Sequence, residues 1–83
     1  MGEAKQIGEV TDYFKQVKAA AIKLSAPLKI GDKIKISGGE KDFEMTVESM
    51  QVDRKPVTAA KAGDEIGVLM PEDVHKGYRV YEA

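Results

Sequence analysis

Two kinds of hydrophobic spacing run through this chain of 83 residues. Near the N-terminus, Ile7, Val10, Phe14, Val17, Ala21 and Leu24 recur every three or four positions. That is the stripe of an amphipathic helix, and the Ala19-Ala20-Ala21 run favours helix as well. The same segment also reads as a hairpin, with strands over about 6–14 and 17–24 and a turn near Lys15-Gln16. Val10, Thr11, Tyr13 and Phe14 suit strands. From Pro27 onward the spacing is two. Ile34 and Ile36 alternate with lysines, Phe43, Met45 and Val47 alternate with polar residues, and Ile66 and Val68 do the same. Strict alternation predicts strands with one buried face.

Between these runs lie turn signals. Lys29-Ile30-Gly31-Asp32-Lys33-Ile34 returns 32 residues later as Lys61-Ala62-Gly63-Asp64-Glu65-Ile66. Each copy is a Gly-Asp turn opening a short strand. Glycine accepts a positive φ, and Asp hydrogen-bonds nearby backbone. Ser25-Ala26-Pro27 breaks what precedes it, Gly38–Asp42 reads as a polar loop, and Val57–Ala62 reads as a short connection. Phe43, Met45 and Val47 share one parity, while Met50 and Val52 continue on the other. That switch near Glu48-Ser49 predicts a bulge or sharp bend within one long strand. Arg54-Lys55-Pro56 then ends it. Strands are predicted at Lys33–Ser37, Asp64–Met70 and Tyr78–Tyr81, with a turn at Pro71-Glu72-Asp73. Many short strands between frequent turns predict an all-β fold, a small closed or nearly closed Greek-key-type β-barrel of about six strands. The whole chain, 1–83, reads as one domain.

Composition narrows the chemistry. With no cysteine there is no disulfide framework, no thiolate metal ligand and no cysteine nucleophile, which fits a cytoplasmic location. No apolar stretch reaches 18 residues, so no membrane helix is predicted. His75 is the single histidine, too few for an imidazole metal site, and it reads as a surface residue. Asp32 and Asp64 read as turn residues rather than paired catalytic carboxylates. Ser25, Ser37 and Ser49 lack the surroundings of a nucleophile. The expectation is a binding module, not an enzyme, with no cofactor.

Charge is the strongest pointer to a partner. The net charge is −1, yet residues 15–35 carry six lysines against one aspartate, and residues 42–83 carry nine acidic residues against five basic ones. A basic stretch is the footprint of a polyanion, and lysines on strands also blunt edges against aggregation. Tyr13 and Phe14 stand beside Lys15 and Lys18, an arrangement able to stack bases while neutralising phosphates. Alternation predicts Phe14 inside and Tyr13 outside. The candidate nucleic-acid-binding residues are therefore Tyr13, Lys15, Lys18, Lys23, Lys33 and Lys35.

Four pieces in register resemble domain II of the translational GTPases, the barrel that follows the nucleotide domain in elongation factor Tu and initiation factor 2. They are Leu28–Ile34 as the first Gly-Asp turn, Thr46–Met50 as the central strand, Ala62–Val68 as the second turn and strand, and Glu72–Val80 as the closing segment. The resemblance covers about residues 7–82. It implies a β-hairpin over 6–24, against the helical spacing there, and an RNA- or ribosome-associated role in translation. No Gly-x-x-x-x-Gly-Lys-Ser/Thr loop is present, so no GTP binding is expected of this chain alone. The chain departs from elongation factor Tu at Glu65, where that factor has a polar amide; a carboxylate there repels a phosphate. A similar barrel occurs at the C-terminus of collagenase-like peptidases. The alternative reading is accordingly a detached relative of that barrel, a protein-interaction adaptor docking on a larger enzyme or translation factor.

Overall fold

A computed structural model describes residues 5–39 and 41–83. Among them are ten strands and no helix: β1 Gln6–Phe14, β2 Ala19–Leu24, β3 Leu28–Lys29, β4 Lys33–Gly38, β5 Lys41–Thr46, β6 Met50–Val52, β7 Lys55–Val57, β8 Ala59–Ala60, β9 Glu65–Leu69 and β10 Arg79–Glu82. The fold is all-β, as the alternation predicts. Eight strands form one antiparallel sheet in the order β5-β4-β10-β1-β2-β9-β6-β7, and β3 pairs with β8 in a two-stranded ribbon.

This sheet cannot be flat. β5 and β6 stand six strand spacings apart in the sheet order, roughly 29 Å if the sheet were planar. Only residues 47–49 separate them in sequence, and the step from Thr46 to Met50 spans at most about 14 Å. The sheet must curl until its ends approach. The bend predicted near Glu48-Ser49 is where the chain passes between them.

The two Gly-Asp turns are built alike. Gly31 has φ 97° and Gly63 φ 94°. In each turn the Asp carboxylate accepts from the backbone N–H three residues earlier, Lys29 N to Asp32 Oδ2 and Lys61 N to Asp64 Oδ2, both at 3.1 Å. Each turn also clamps one buried apolar residue of a neighbouring strand end. Gly31 N donates to Val47 O, and Val47 N to Asp32 O. Gly63 N donates to Leu24 O, and Leu24 N to Asp64 O. Leu28 pairs with Ala60, its own counterpart in the 32-residue repeat. A local pseudo-two-fold axis therefore passes through the β3–β8 ribbon and relates the turns.

The hairpin over 6–24 is present, so the three-and-four spacing there does not mark a helix. Ladder irregularities between Gln6 and Gly8 and between Val10 and Asp12 each shift side-chain parity, as bulges do. Ile7, Gly8 and Val10 are thereby buried, Thr11 turns outward to bond Glu65, and the inward position passes to Tyr13. The stripe divides between two faces: Ile7, Val10 and Leu24 are buried, whereas Phe14, Val17 and Ala21 lie on the outer face. The second bulge also reverses the expectation for the aromatic pair: Tyr13 packs against the core, whereas Phe14 is 52% exposed.

Inward rows fill the curled sheet. Val10, Ile22 and Ile66 align across β1, β2 and β9, and Ile36 faces Val80 across β4 and β10. All five are at most 1% exposed. Gly8 sits between Val80 and Leu24; a Cβ there would lie 2.9 Å from Ile22 Cγ2, so the glycine is required by packing.

Three strands were not legible. Lys55-Pro56-Val57 is an edge strand rather than a stop; Pro56 is tolerated because the edge needs no further donor. Asp53 and Arg54, with φ 53° and 65°, make a two-residue turn joining β6 to β7, a geometry usually signalled by Asn-Gly or Asp-Gly. The two-residue strands β3 and β8 are too short to show a period. The polar loop expected over 38–42 is largely strand, with β4 running through Gly38 and β5 beginning at Lys41; residue 40 lies outside the described residues.

Candidate functional site

The lysines expected to form one basic surface are dispersed over separate strands and a turn, and Lys23, Lys33 and Lys35 are set beside carboxylates. Lys15 and Lys18 belong to the β1–β2 turn, where Lys18 adopts φ 56°. Lys33 and Lys35 lie on β4, separated from β2 by β10 and β1, roughly 14 Å at ordinary strand spacing. Lys33 Nζ lies 3.4 Å from Glu44, and Lys35 Nζ 3.5 Å from Asp42. Arg79, Glu9, Lys23 and Glu65 register side by side across β10, β1, β2 and β9. The sign alternates along that row, as favourable cross-strand pairs do. Strand pairing thus offsets the charge of Lys23, Lys33 and Lys35, because β2 and β4 lie beside strands that carry carboxylates.

Tyr13 is not free to stack a base. Its ring packs on the core, and its hydroxyl donates to Asp73 Oδ1 at 2.9 Å. Partial burial, the hydrogen bond to Asp73 and the carboxylate charge hold its phenol above the ordinary tyrosine value. Lys41 Nζ donates to Asp73 O at 3.0 Å and lies 3.5 Å from Glu72. Together these contacts strap the 71–77 segment across the sheet. His75 meets the Tyr78 ring edge-on, at 5.6 Å between centroids. Among the described residues no group of three or more His, Asp or Glu side chains stands ready for a metal ion, and no helix is long and apolar enough to cross a membrane.

The most distinctive surface lies elsewhere, on the outer face of β2 and β9. Three large apolar residues are exposed around it: Phe14 (52%), Val17 (62%) and Leu69 (58%). Between them the outward positions carry almost no side chain. Register places Ala19 beside Leu69 and Phe14, and Ala21 beside Gly67. Gln51 faces Gly67 from β6, the one pair joining those two strands. The result is a groove of about 710 Å³ floored by Ala19, Ala21 and Gly67. A smaller hollow of about 280 Å³ continues it past Leu69 and Ser49. Lys23, Asp53, Arg54, Asp64 and Glu65 border the far end. There Glu65 Oε2 accepts from Thr11 Oγ1 at 2.8 Å.

From sequence, Phe14 is grouped with Tyr13 but expected inside, and Val17 and Leu69 are not singled out as binding residues. The available signal was the cluster of small residues, Ala19-Ala20-Ala21 and Gly67, inside strands. Alanine and glycine are poor strand formers, and their presence marks a surface left bare.

Both the fold and the sequence have counterparts among known proteins. The chain matches no protein-family profile. It superposes on the C-terminal domain of a U32 peptidase from Geobacillus thermoleovorans with a TM-score of 0.90, at 15% identity, covering 94% of this chain and 99% of that one. The fold is that of a U32 peptidase C-terminal domain. A second structure of that domain gives a TM-score of 0.89 at 15% identity, covering 95% and 92%. In sequence, the chain is 43% identical over 77 residues to an uncharacterised protease of Methanocaldococcus jannaschii. The match takes in 92% of this chain but 19% of that protease, so the chain spans about a fifth of its relative's length.

These likenesses overturn the assignment to domain II of the translational GTPases, and with it the elongation-factor, ribosome and RNA-binding reading. The reason is visible in the turns. The Gly-Asp motifs that carried the resemblance hold a positive φ and an Asp–backbone hydrogen bond. Such turn chemistry specifies a backbone path and says nothing of a partner. The peptidase C-terminal barrel, the alternative reading, is the one that agrees.

Proposed function

We propose that this chain is a non-catalytic protein-binding β-module that works, in the cytoplasm, alongside a peptidase body of the kind its relative carries. One observation carries the reading: Phe14, Val17 and Leu69 are all exposed, Phe14 and Val17 bordering a floor of small residues and Leu69 the hollow that continues it over Ala19 and Gly67. Contiguous exposed apolar surface of this kind marks association sites. The relative's length supports it, since about four-fifths of that protease lies outside the matched segment and offers a natural surface to dock on.

The test mixes the 83-residue chain with the Methanocaldococcus jannaschii protease lacking its matching segment, followed by size-exclusion chromatography and calorimetry. Association is expected, and Phe14→Ser with Leu69→Ser should weaken it by about 2 kcal/mol or more, as for central apolar contacts. Separate elution of the two at every concentration tried would overturn the proposal.

A further inference from the structure

The glycines separate into those the fold requires and one it does not. Gly31, Gly39, Gly63 and Gly77 have positive φ. Gly8 and Gly38 are pressed against neighbours, a Cβ on Gly38 falling 2.3 Å from the Tyr78 ring. Gly67 alone among the described glycines has neither reason. Its φ is ordinary, and a Cβ built on it would meet no atom within 4 Å. The β2–β9 ladder passes through it without a shift in register, so it marks no bulge on that side. A glycine inside a strand weakens that strand, and the remaining physical use is to let a ligand or another backbone approach closely. That space opens outward, onto the groove.

We propose that the outer face of β2 and β9 holds an extended peptide segment whose main chain crosses Gly67, one apolar side chain resting on Ala19 and Ala21 between Phe14, Val17 and Leu69. This rests on the protein-binding reading above and names its surface and ligand. An extended chain fits because the missing Cβ matters only to atoms in van der Waals contact with the strand backbone. A packed helix holds its axis about 8–10 Å away. Charge differs between the ends of the groove: at the far end Asp53, Asp64 and Glu65 stand against Lys23 and Arg54, and at the other end Lys15 and Lys18 flank Phe14 and Val17 in the β1–β2 turn. Asp12 registers beside Ala21 and adds to the carboxylates. The segment that fits is apolar with a basic residue toward the far end.

The experiment is an amide NMR titration of the labelled chain with acetyl-Lys-Leu-Gly-Leu-Lys-amide. Parallel titrations use the counterpart bearing glutamate for lysine and the counterpart bearing serine for leucine. Saturable shifts centred on Ala19, Ala21, Gly67 and Leu69 are expected, at least about tenfold weaker for either counterpart. Gly67→Leu fills the floor from a position with open space around it. It should keep the dispersed spectrum and hold or raise the thermal midpoint while weakening the peptide by about tenfold or more; Gly67→Ala should weaken it partially. Undiminished binding to a folded Gly67→Leu, or shifts centred elsewhere, would overturn this inference. Such a result would leave the docking experiment above untouched, and failure to dock on the protease body would leave a Gly67-dependent peptide site standing.

Discussion

The paired turns allow one perturbation to be made twice in one molecule. Asp32 and Asp64 each accept a single backbone hydrogen bond at 3.1 Å, from Lys29 N and Lys61 N, and each is half-buried. Both turn glycines hold φ near 95° and make the same clamp with a buried apolar residue. Replacing either aspartate by alanine removes the acceptor and leaves one backbone N–H to water. A net side chain–backbone hydrogen bond is worth about 0.5–1.5 kcal/mol. Asp32→Ala and Asp64→Ala should therefore each cost about 1 kcal/mol and agree within about 0.5 kcal/mol. For a domain of this size that lowers the thermal midpoint by roughly 4–8 °C. Asparagine keeps an acceptor oxygen, so Asp32→Asn and Asp64→Asn should recover most of the loss. Urea denaturation followed by far-ultraviolet circular dichroism suits a chain without tryptophan, and a constant m-value would show that only native stability changed. The equivalence of the turns is refuted if one alanine variant is silent while the other costs its full share, or if asparagine is as damaging as alanine.

Gly38→Ala forces a Cβ to within 2.3–2.8 Å of the Tyr78 ring and should destabilise by about 1–3 kcal/mol, measured by the same urea titration. Arg54→Gly relieves a non-glycine residue at φ 65° and should raise stability by about 1 kcal/mol, seen as a higher thermal midpoint. Tyr13 has its phenol pushed upward by partial burial and Asp73. A raised acid favours its neutral form in the folded state, so that contribution is complete below the unfolded tyrosine range and is lost as pH rises through the folded value. Tyr13→Phe should remove this alkaline component from a pH–stability profile, and an unchanged profile would refute the assignment.

Alternation at Ile34/Ile36, Phe43/Met45 and Ile66/Val68 and two Gly-Asp turns were enough to determine an all-β chain and to place β4, β5, β9 and β10, because period and turn chemistry are local properties. They did not determine where the strands would lie beside one another. The hairpin's two bulges, which turned Tyr13 inward and Phe14 outward, depend on register with β2 and β10. Register is a property of strand pairs. The basic stretch of residues 15–35 dissolved for the same reason: Lys33 and Lys35 met Glu44 and Asp42 once β4 paired with β5. The apolar groove is wholly a product of the tertiary structure. Phe14, Val17, Gly67 and Leu69 span more than half the chain in sequence, and only the pairing of β1 with β2 and of β2 with β9 gathers them around one floor.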